Sequence, residues 1–461
     1  LFSSSHTLKP IKETQETHRF QGYSCNRIVK NASDCNVRLF KFSGSKFFCY
    51  VFPMRGFSFF LIILAASLSG ADSDWPGWLG PNKDGWVKDF KAPKKWPERL
   101  NQVWQLKVGE GYGTPLVIGS RVYQHARIGE EEVLWCVDLK TGKKVWRSSY
   151  KAPFEVGSGG EPHGKGPKSN PVYADGRIFV MSITGTLSAW DASTGNLIWR
   201  KNYNSRFKPS YPRWGMCNSP VVDEGRVIAH FGNEQMGALK ALDVKTGKEV
   251  WTQGADGPCY SSPILVEHEG IRQVIEFNHR ALVAVDSKTG TLLWEFPLPS
   301  IGMNQNTPTP SFVNGRVLLG AENRGLYSFE PKQKNGKWSV RMRWHHRNAS
   351  LNMSTAVVND GRLYGLSHLN RGRLFCADSE TGEVFWEGPE RAGRYATFLA
   401  FKGYVMVLFG EGELQVIVAS PDGYQKAASW MISEEYTWAA PVLLKNGILI
   451  KDQGHLTFWS F

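Results

Sequence analysis

The sequence predicts an all-β fold, an eight-bladed β-propeller built from four-stranded antiparallel blades. Three signals that recur in register predict it: an Asp-x-x-Thr-Gly turn followed by a tryptophan, a small hydroxyl residue that opens each unit, and a glycine turn between two short apolar runs. The period is about 42 to 53 residues, which is the length of a four-stranded propeller blade.

The clearest copy of the turn signal runs from Leu282 to Trp294. Asp286 can accept hydrogen bonds from the backbone N–H groups of its own turn, and Gly290 can take the positive φ that such a turn needs. Trp294 closes the unit with a large aromatic side chain suited to burial. The residues assigned to this structural repeat are Asp138, Gly142, Trp146, Asp191, Gly195, Trp199, Asp243, Gly247, Trp251, Asp286, Gly290, Trp294, Asp378, Gly382, Trp386 and the lone Trp104.

The other two signals divide each unit into strands. A hydroxyl residue, often followed by proline, precedes an inner strand A. Proline fits the first residue of a strand, where no backbone donor is needed for the ladder. A glycine turn then leads into strand B, because glycine between two apolar runs indicates a hairpin. Strand C follows, then the Asp-x-x-Thr-Gly turn and strand D. The eight glycine turns are at Gly119, Gly176, Gly225, Gly270, Gly315, Gly361, Gly403 and Gly447.

The two ends of the repeat are incomplete, and each supplies what the other lacks. The segment from Val103 to Val108 reads as a strand D with no A, B or C before it, and the chain stops at Phe461 in a strand C. A propeller must protect its first and last sheet edges. We therefore predict that these two segments pair antiparallel and close the ring.

The chain before the repeat divides into three segments. Residues 1–53 show no repeat, and we interpret them as upstream sequence translated from a misplaced start or as a disordered leader; a genuine long leader is the alternative. Residues 54–71 have a basic start, a short apolar run and small residues, which is the pattern of a secretory signal peptide. The mature chain then begins near Asp72, residues 72–100 form a Trp-rich strap, and residues 101–461 form the propeller.

The repeat resembles the quinoprotein-type repeat of pyrroloquinoline quinone (PQQ)-like β-propellers. The stretch from Asp74 to Gly85 also resembles the W-P-x-W-x-G-P-x-x-D-G opening of secreted bacterial members. The resemblance covers roughly residues 74–461 and implies the fold. It extends to the non-enzymatic barrel-assembly lipoprotein of the outer membrane and to PQQ-dependent dehydrogenases. No cysteine follows the apolar run, so this chain departs from the lipoprotein pattern.

Charge and cysteine content narrow the partner classes. The net charge is +13, and residues 1–71 hold 9 Lys or Arg and 3 Asp or Glu, so +6 of it lies before the repeat. The sequence shows no basic helix or RNA-binding aromatic motif, which argues against nucleic acid as a partner. Cys136 and Cys376 hold equivalent strand positions and suit burial. Cys217 and Cys259 lie in neighbouring units, and a disulfide between them stays open.

Candidate binding residues lie in the loops that join strand D to the next strand A. These loops emerge on one face, around the mouth of the central channel, where a ligand site is expected. Polar, basic and aromatic side chains gather there, although they could also be solvent-facing loop residues. The candidates are His163, Lys165, Lys168, Arg213, Trp214 and Asn306.

Two classes of function fit these observations. The first is a secreted or periplasmic, non-catalytic binding or scaffolding propeller, monomeric, with no cofactor, no metal and no catalytic residue, and with a protein or glycan partner at the channel mouth. The alternative is a PQQ-dependent alcohol or sugar dehydrogenase, which would need Ca²⁺ and its oxygen ligands. The sequence has no Cys-Cys pair and no cofactor motif that transfers residue by residue. The first class is therefore favoured, and a divergent hydrolase is a third choice.

Overall fold

The structure is a computed structural model that describes the backbone of residues 15–20, 23–32 and 35–41, and then residues 74–461 apart from residue 304. The predicted signal peptide and the predicted mature start near Asp72 lie outside the described residues. The chain divides into two units, residues 1–70 and 71–461. In the first, three strands form an antiparallel sheet: Gln15–Phe20, Tyr23–Ala32 and Cys35–Lys41.

The second unit is an eight-bladed propeller, as predicted, and each blade is a four-stranded antiparallel sheet. Blades 1 to 4, with strands A to D in order, are Leu116–Ile118, Arg121–Ile128, Glu131–Asp138, Lys144–Lys151; Val172–Ala174, Arg177–Met181, Thr186–Asp191, Leu197–Asn202; Val221–Asp223, Arg226–Gly232, Gly237–Asp243, Glu249–Gln253; and Ile264–His268, Ile271–Phe277, Ala281–Asp286, Leu292–Pro297. Blades 5 to 8 are Ser311–Val313, Arg316–Ala321, Gly325–Lys334, Lys337–His346; Val357–Asn359, Arg362–Ser367, Arg373–Asp378, Val384–Glu387; Ala396–Phe401, Tyr404–Phe409, Glu413–Val418, Lys426–Met431; and Val442–Leu444, Gly447–Lys451, His455–Ser460, Asn101–Lys107.

Helix is confined to three short 3-10 turns in the part of the chain that the structure describes. They are Glu161–His163, Asn204–Arg206 and Leu369–Arg371. Among the same residues, no helix has the length and apolar character needed to cross a membrane.

The predicted closure of the ring is confirmed. Strand Asn101–Lys107 pairs antiparallel with His455–Ser460, and Trp104 lies opposite Phe458. The strand begins two residues earlier than the predicted Val103, because the pairing continues to the register in which Ser460 faces Asn101. The eighth blade is thus built from both ends of the propeller.

The repeated Trp and Gly contact each other across blade boundaries. The Trp146 indole of blade 1 lies against Gly195 of blade 2, so close that a Cβ at Gly195 would fall 2.5 Å from the ring. Trp146 Nε1 also donates to the Ala192 carbonyl at 3.2 Å. Gly195 has φ +75°, so both its backbone and its lack of a side chain are required. The same contact joins Trp104 to Gly142, Trp199 to Gly247, Trp251 to Gly290 and Trp344 to Gly382.

The hydroxyl residues before the inner strands form a second set of links between blades. From blade 2 to blade 6 the side-chain oxygen, a hydroxyl in four blades and the Asn170 amide oxygen in blade 2, accepts a hydrogen bond from the backbone N–H of the equivalent residue in the preceding blade. The repeated sequence signal therefore has a direct structural cause. The five links run from Thr114 to Asn170 Oδ1, Asn170 to Ser219 Oγ, Ser219 to Ser262 Oγ, Ser262 to Thr309 Oγ1, and Thr309 to Thr355 Oγ1, at 2.7–3.1 Å.

The two faces of the ring differ. The A–B and C–D turns share one face, the turn face, where the N–H of Leu139 in a C–D turn donates to Ser120 O in an A–B turn. The B–C turns and D–A loops share the other, the mouth face. The strap crosses the turn face: Trp75 pairs with Val117 of blade 1, and Val87 N donates to Ala400 O of blade 7.

Candidate functional site at the channel mouth

A cavity of about 180 Å³ lies on the channel axis and opens toward the mouth face. The inner-strand hydroxyl residues Ser262, Thr309 and Thr355 form part of its wall, and Trp78 and Leu79 of the strap close the end nearer the turn face. The D–A loops complete the wall, because each connects the outside of one blade to the inside of the next. The cavity is therefore built by residues far apart in sequence.

Lys168 supplies a basic group in the cavity wall. Its Nζ donates to the carbonyl oxygens of Gly164 at 3.3 Å and Trp214 at 3.2 Å, and it lies 5.8 Å from the centre of the Phe154 ring. Burial lowers the pKa of the Lys168 ammonium, and the more distant carboxylate of Glu132 acts in the opposite direction. The two carbonyls hold the amine at the junction of the first two D–A loops.

Aromatic rings form most of the remaining rim. His163 contacts Trp438 edge to face at 4.5 Å between ring centres, and Trp438 stacks on Tyr395. On the other side, Trp214 packs on Tyr260 with ring centres 5.3 Å apart. Burial, followed by the nearby Lys168 charge, lowers the pKa of His163, so this imidazole is neutral at neutral pH.

The structure brings together three of the six predicted site residues. His163, Lys168 and Trp214 line the cavity. Lys165 is exposed outside the cavity lining. The backbone N–H of Arg213 donates to Glu234, and the Arg213 guanidinium lies 3.6 Å from Met303 Sδ, which places it on the outer rim.

Asn306 has a different environment from the other candidates. It is fully buried, its Nδ2 donates to the carbonyl oxygens of Asn278 and Leu298, and its Oδ1 accepts from Arg324. Its side chain is committed to holding the loop between blades 4 and 5. It does not line the cavity.

Sequence reasoning missed five aromatic residues of the cavity wall: Trp78, Tyr112, Tyr260, Phe398 and Trp438. Trp78 lies in the opening motif of the strap, which carries no signal for its position below the channel. The other four lie within four residues of an inner-strand start, as Trp438 does before Ala440-Pro441. Proximity to that signal could have identified them.

The wall supplies hydrogen-bond donors and aromatic surface. Among the described residues that line the cavity, none is Asp or Glu. Tyr112 Oη, Trp438 Nε1 and Thr397 Oγ1 are buried and have no hydrogen-bond partner among the described residues. Such donors favour a ligand or partner group that offers oxygen acceptors.

The cysteines add no reactive group to this site. Cys217 lines the cavity and Cys259 lies behind it; both are free thiols in the structure. Burial raises the pKa of Cys217 to about 11 and that of Cys259 to about 12. Both thiols are therefore protonated at neutral pH, which makes them poor nucleophiles.

An acidic cluster on the rim of blade 8 consists of Glu435, Asp452 and His455. Asp452 Oδ1 accepts from the backbone N–H groups of Gly454 and His455, and Glu435 Oε2 accepts from Gly454 N–H as well. These hydrogen bonds fold the B–C turn, so the cluster has a structural explanation without a metal ion.

Comparison with known proteins agrees with this architecture. A PQQ-repeat family model described as "Outer membrane protein assembly factor BamB" matches residues 129–388. The chain belongs to this family. BamB of Yersinia pestis is 24% identical over 370 residues, 76% of this chain and 86% of its own length. Quinohemoprotein alcohol dehydrogenase ADH-IIG of Pseudomonas putida is also 24% identical, over 40% of this chain and 26% of its own length.

Solved structures show the same fold. BamB from Moraxella catarrhalis has a TM-score of 0.57 at 16% identity, over 79% of this chain and 98% of its own. Quinohemoprotein alcohol dehydrogenase from Comamonas testosteroni has a TM-score of 0.64 at 14% identity, over 84% of this chain and 80% of its own. At these identities the likeness establishes the propeller and leaves function to the site.

Proposed function

We propose that this chain is a non-catalytic scaffolding propeller that acts outside the cytoplasm, in the periplasm or after secretion, and holds a partner protein at its mouth face. The observation that supports it best is the asymmetry of the channel. The strap covers the turn face, whereas the mouth face presents a cavity with unpartnered donors and long loops. A binding surface formed by loops on a rigid ring is the usual arrangement for recognition.

The relatives support the same class. The family model and several relatives are named outer membrane protein assembly factors, and the match to one of them extends over 86% of its length. These names describe factors in the assembly of outer membrane proteins. Transfer of that role to this chain is part of the proposal.

The alternative is a PQQ-dependent dehydrogenase, and the residues present do not fit the cofactor with its Ca²⁺ ion. Ca²⁺ needs several oxygen ligands, usually including carboxylates. No Asp or Glu is among the described residues of the cavity wall, and the Oδ1 of Asn170 already accepts the Thr114 N–H. We expect no stoichiometric retention of PQQ after incubation with Ca²⁺ and gel filtration. A retained quinone spectrum with substrate-dependent dye reduction would restore the dehydrogenase hypothesis.

Site-specific photo-crosslinking tests the scaffolding proposal. A benzophenone amino acid replaces Met353 or Tyr436 on the mouth face, and Lys140 or Lys445 on the turn face serves as the matched exposed control. The variants are irradiated in intact cells of the source organism. We expect discrete protein adducts from the two mouth positions only. Equal adducts from both faces, or none from the mouth, would contradict the proposal.

A further inference from the structure

The charged residues of the mouth face are sorted into two halves. The loops from 203 to 394 that lie over blades 3 to 6 contain nine Arg or Lys and four Asp or Glu. The loops over blades 7, 8, 1 and 2 contain two Lys and eight Asp or Glu. The first group, here called the basic half, has a net charge of +5, and the second has a net charge of −6. The face as a whole is nearly neutral but strongly dipolar.

Exposed apolar side chains are concentrated on the basic half. Met236, Ile301, Met303 and Met353 each leave 40% or more of their surface exposed. They lie on three loops of the basic half. These loops are linked by contacts from Arg213 to Glu234 and Met303, from Arg324 to Pro299 O, and from Gly325 N–H to Ser350 Oγ. Methionine adapts its shape to a partner surface, and exposed apolar groups beside charges mark interaction sites.

We infer that the basic half is the docking surface for an acidic polypeptide segment that carries apolar side chains. This rests on the proposed function and specifies the chemistry of its partner. Carboxylates of the segment would lie among Arg347, Arg394 and their neighbours, and its apolar side chains would cover the methionines. Arg347 and Arg394 form no ion pair within the described part of the chain, so their charges are available to a partner.

An anionic membrane would also attract arginine and exposed methionine, but the charge division argues against it. A flat bilayer facing the mouth would meet the acidic half at the same time, and the two contributions would cancel. A chain segment is narrow enough to contact the basic half alone. Polypeptide is therefore the occupant that the geometry favours.

The test uses a fluorescein-labelled peptide that alternates Glu with Leu and Ser, and a matched peptide with Lys in place of Glu. Binding to the full chain is measured by anisotropy at low and high salt. We expect the acidic peptide to bind the wild type, and its affinity to fall at high salt because the contacts are exposed. In Arg347→Glu/Arg394→Glu the affinity should fall at least fivefold. The control Lys140→Glu/Lys143→Glu, on the turn face, should bind like the wild type.

Two further measurements address the apolar contact and the position. Ile301→Ser/Met303→Ser should lower the affinity for the acidic peptide by a similar factor and leave its salt dependence unchanged. A photoreactive leucine in the peptide should crosslink wild-type protein within residues 203–394, a result that needs no variant to fold. Equal binding of the Lys peptide, no effect of the Arg variant, or crosslinks elsewhere would overturn the inference.

Vesicles containing phosphatidylglycerol distinguish the membrane alternative. We expect no cosedimentation of the wild type beyond that seen with neutral vesicles. Cosedimentation that the Arg variant abolishes would also overturn the inference. The proposed function is tested separately: it is contradicted if no protein adducts form at the mouth face in cells. If adducts form there but the acidic peptide does not bind, the scaffolding function stands and only this partner chemistry is rejected.

Discussion

At the scale of single residues, the glycine of the Asp-x-x-Thr-Gly turn meets two demands that can be separated. Gly195 has φ +75° and touches Trp146, whereas Gly176 has φ +75° and nothing within 4 Å of its Cβ position. Alanine at either site adds backbone strain of roughly 1–2 kcal/mol. At Gly195 we expect a further loss of about 1–3 kcal/mol, because the indole must move. Urea unfolding of Gly195→Ala and Gly176→Ala measures the difference; equal midpoints would contradict the tryptophan contact.

A buried lysine makes a second residue-scale prediction. Lys451 Nζ donates to the carbonyl oxygens of Gly109 and Gln453, and burial lowers its pKa to about 7, although Asp452 and Glu435 act in the opposite direction. The unfolded chain then binds more protons than the folded chain between pH 7 and the ordinary lysine pKa. The free energy of unfolding should therefore rise with pH above 7, by up to about 1.4 kcal/mol per pH unit.

The comparison that isolates this effect is Lys451→Met. We expect the variant to lack the rise between pH 7 and 8.5 that the wild type shows in chemical denaturation. The buried thiols, whose pKa values are raised in the folded chain, oppose this rise in both proteins as the pH approaches the ordinary cysteine pKa, so the difference between the two profiles isolates Lys451. Parallel pH profiles for the two proteins would show that Lys451 keeps its ordinary pKa.

At the scale of elements, a buried carboxylate joins blade 1 to blade 2. Glu132, on strand C of blade 1, accepts from the Ser182 hydroxyl at 3.1 Å and from the Ile183 N–H at 2.9 Å in the B–C turn of blade 2. Burial alone would raise the pKa of Glu132, but hydrogen bonds from His125, Tyr150 and Ile183 outweigh it and hold the pKa below its usual value. The stabilisation is present above the unfolded-state pKa and is lost as pH falls through the folded-state pKa.

Glu132→Gln should therefore destabilise the propeller by roughly 3–5 kcal/mol at pH 7, since the buried charge is lost and an amide NH2 group faces the donors of the network. The neighbouring Glu131→Gln keeps an amide oxygen that can accept the Ser149 hydroxyl near the surface, and it should change stability by less than about 0.5 kcal/mol. The difference in unfolding free energy between wild type and Glu132→Gln should become smaller as the pH is lowered below 4.5. Thermal and chemical unfolding of both variants at pH 7 and pH 4 measures it, and equal losses at position 131 and 132 would argue against the network.

The strands could be predicted from sequence because their cause is local and repeated. The positions equivalent to Gly195 and Ser219 recur in register because each blade contacts the next blade in the same way. The cavity wall was predicted only in part. The polar loop position of Asn306 predicts a site residue, but its side chain holds the loop together through hydrogen bonds. Tyr260 and Trp438 line the cavity because of the direction their loops take. Loop direction depends on contacts between D–A loops, and no repeating signal encodes it.

At the scale of the whole molecule, the two ends of the propeller hold the ring in different ways. Strand Asn101–Lys107 completes the eighth sheet, so its loss would leave the edge of His455–Ser460 unpaired. The strap before it adds side-chain packing, as where Phe90 contacts Phe401 and Phe461. Sheet pairing and strap packing can therefore be removed one after the other by two truncations.

A chain starting at Asn101 lacks only the strap, and a chain starting at Gly109 lacks the closing strand as well. We expect the first to fold with a lower midpoint, because Trp75, Phe90 and Trp96 no longer cover the turn face and the end of the cavity nearer that face is open. We expect the second to lose far more stability and to aggregate, because an open eighth blade exposes Trp459 and a free strand edge while the ring can spread at the seam. Differential scanning calorimetry of both chains beside one starting at Asp72 orders the three midpoints. A Gly109 start that melts at the temperature of the full propeller would show that the ring does not depend on the pairing of its termini.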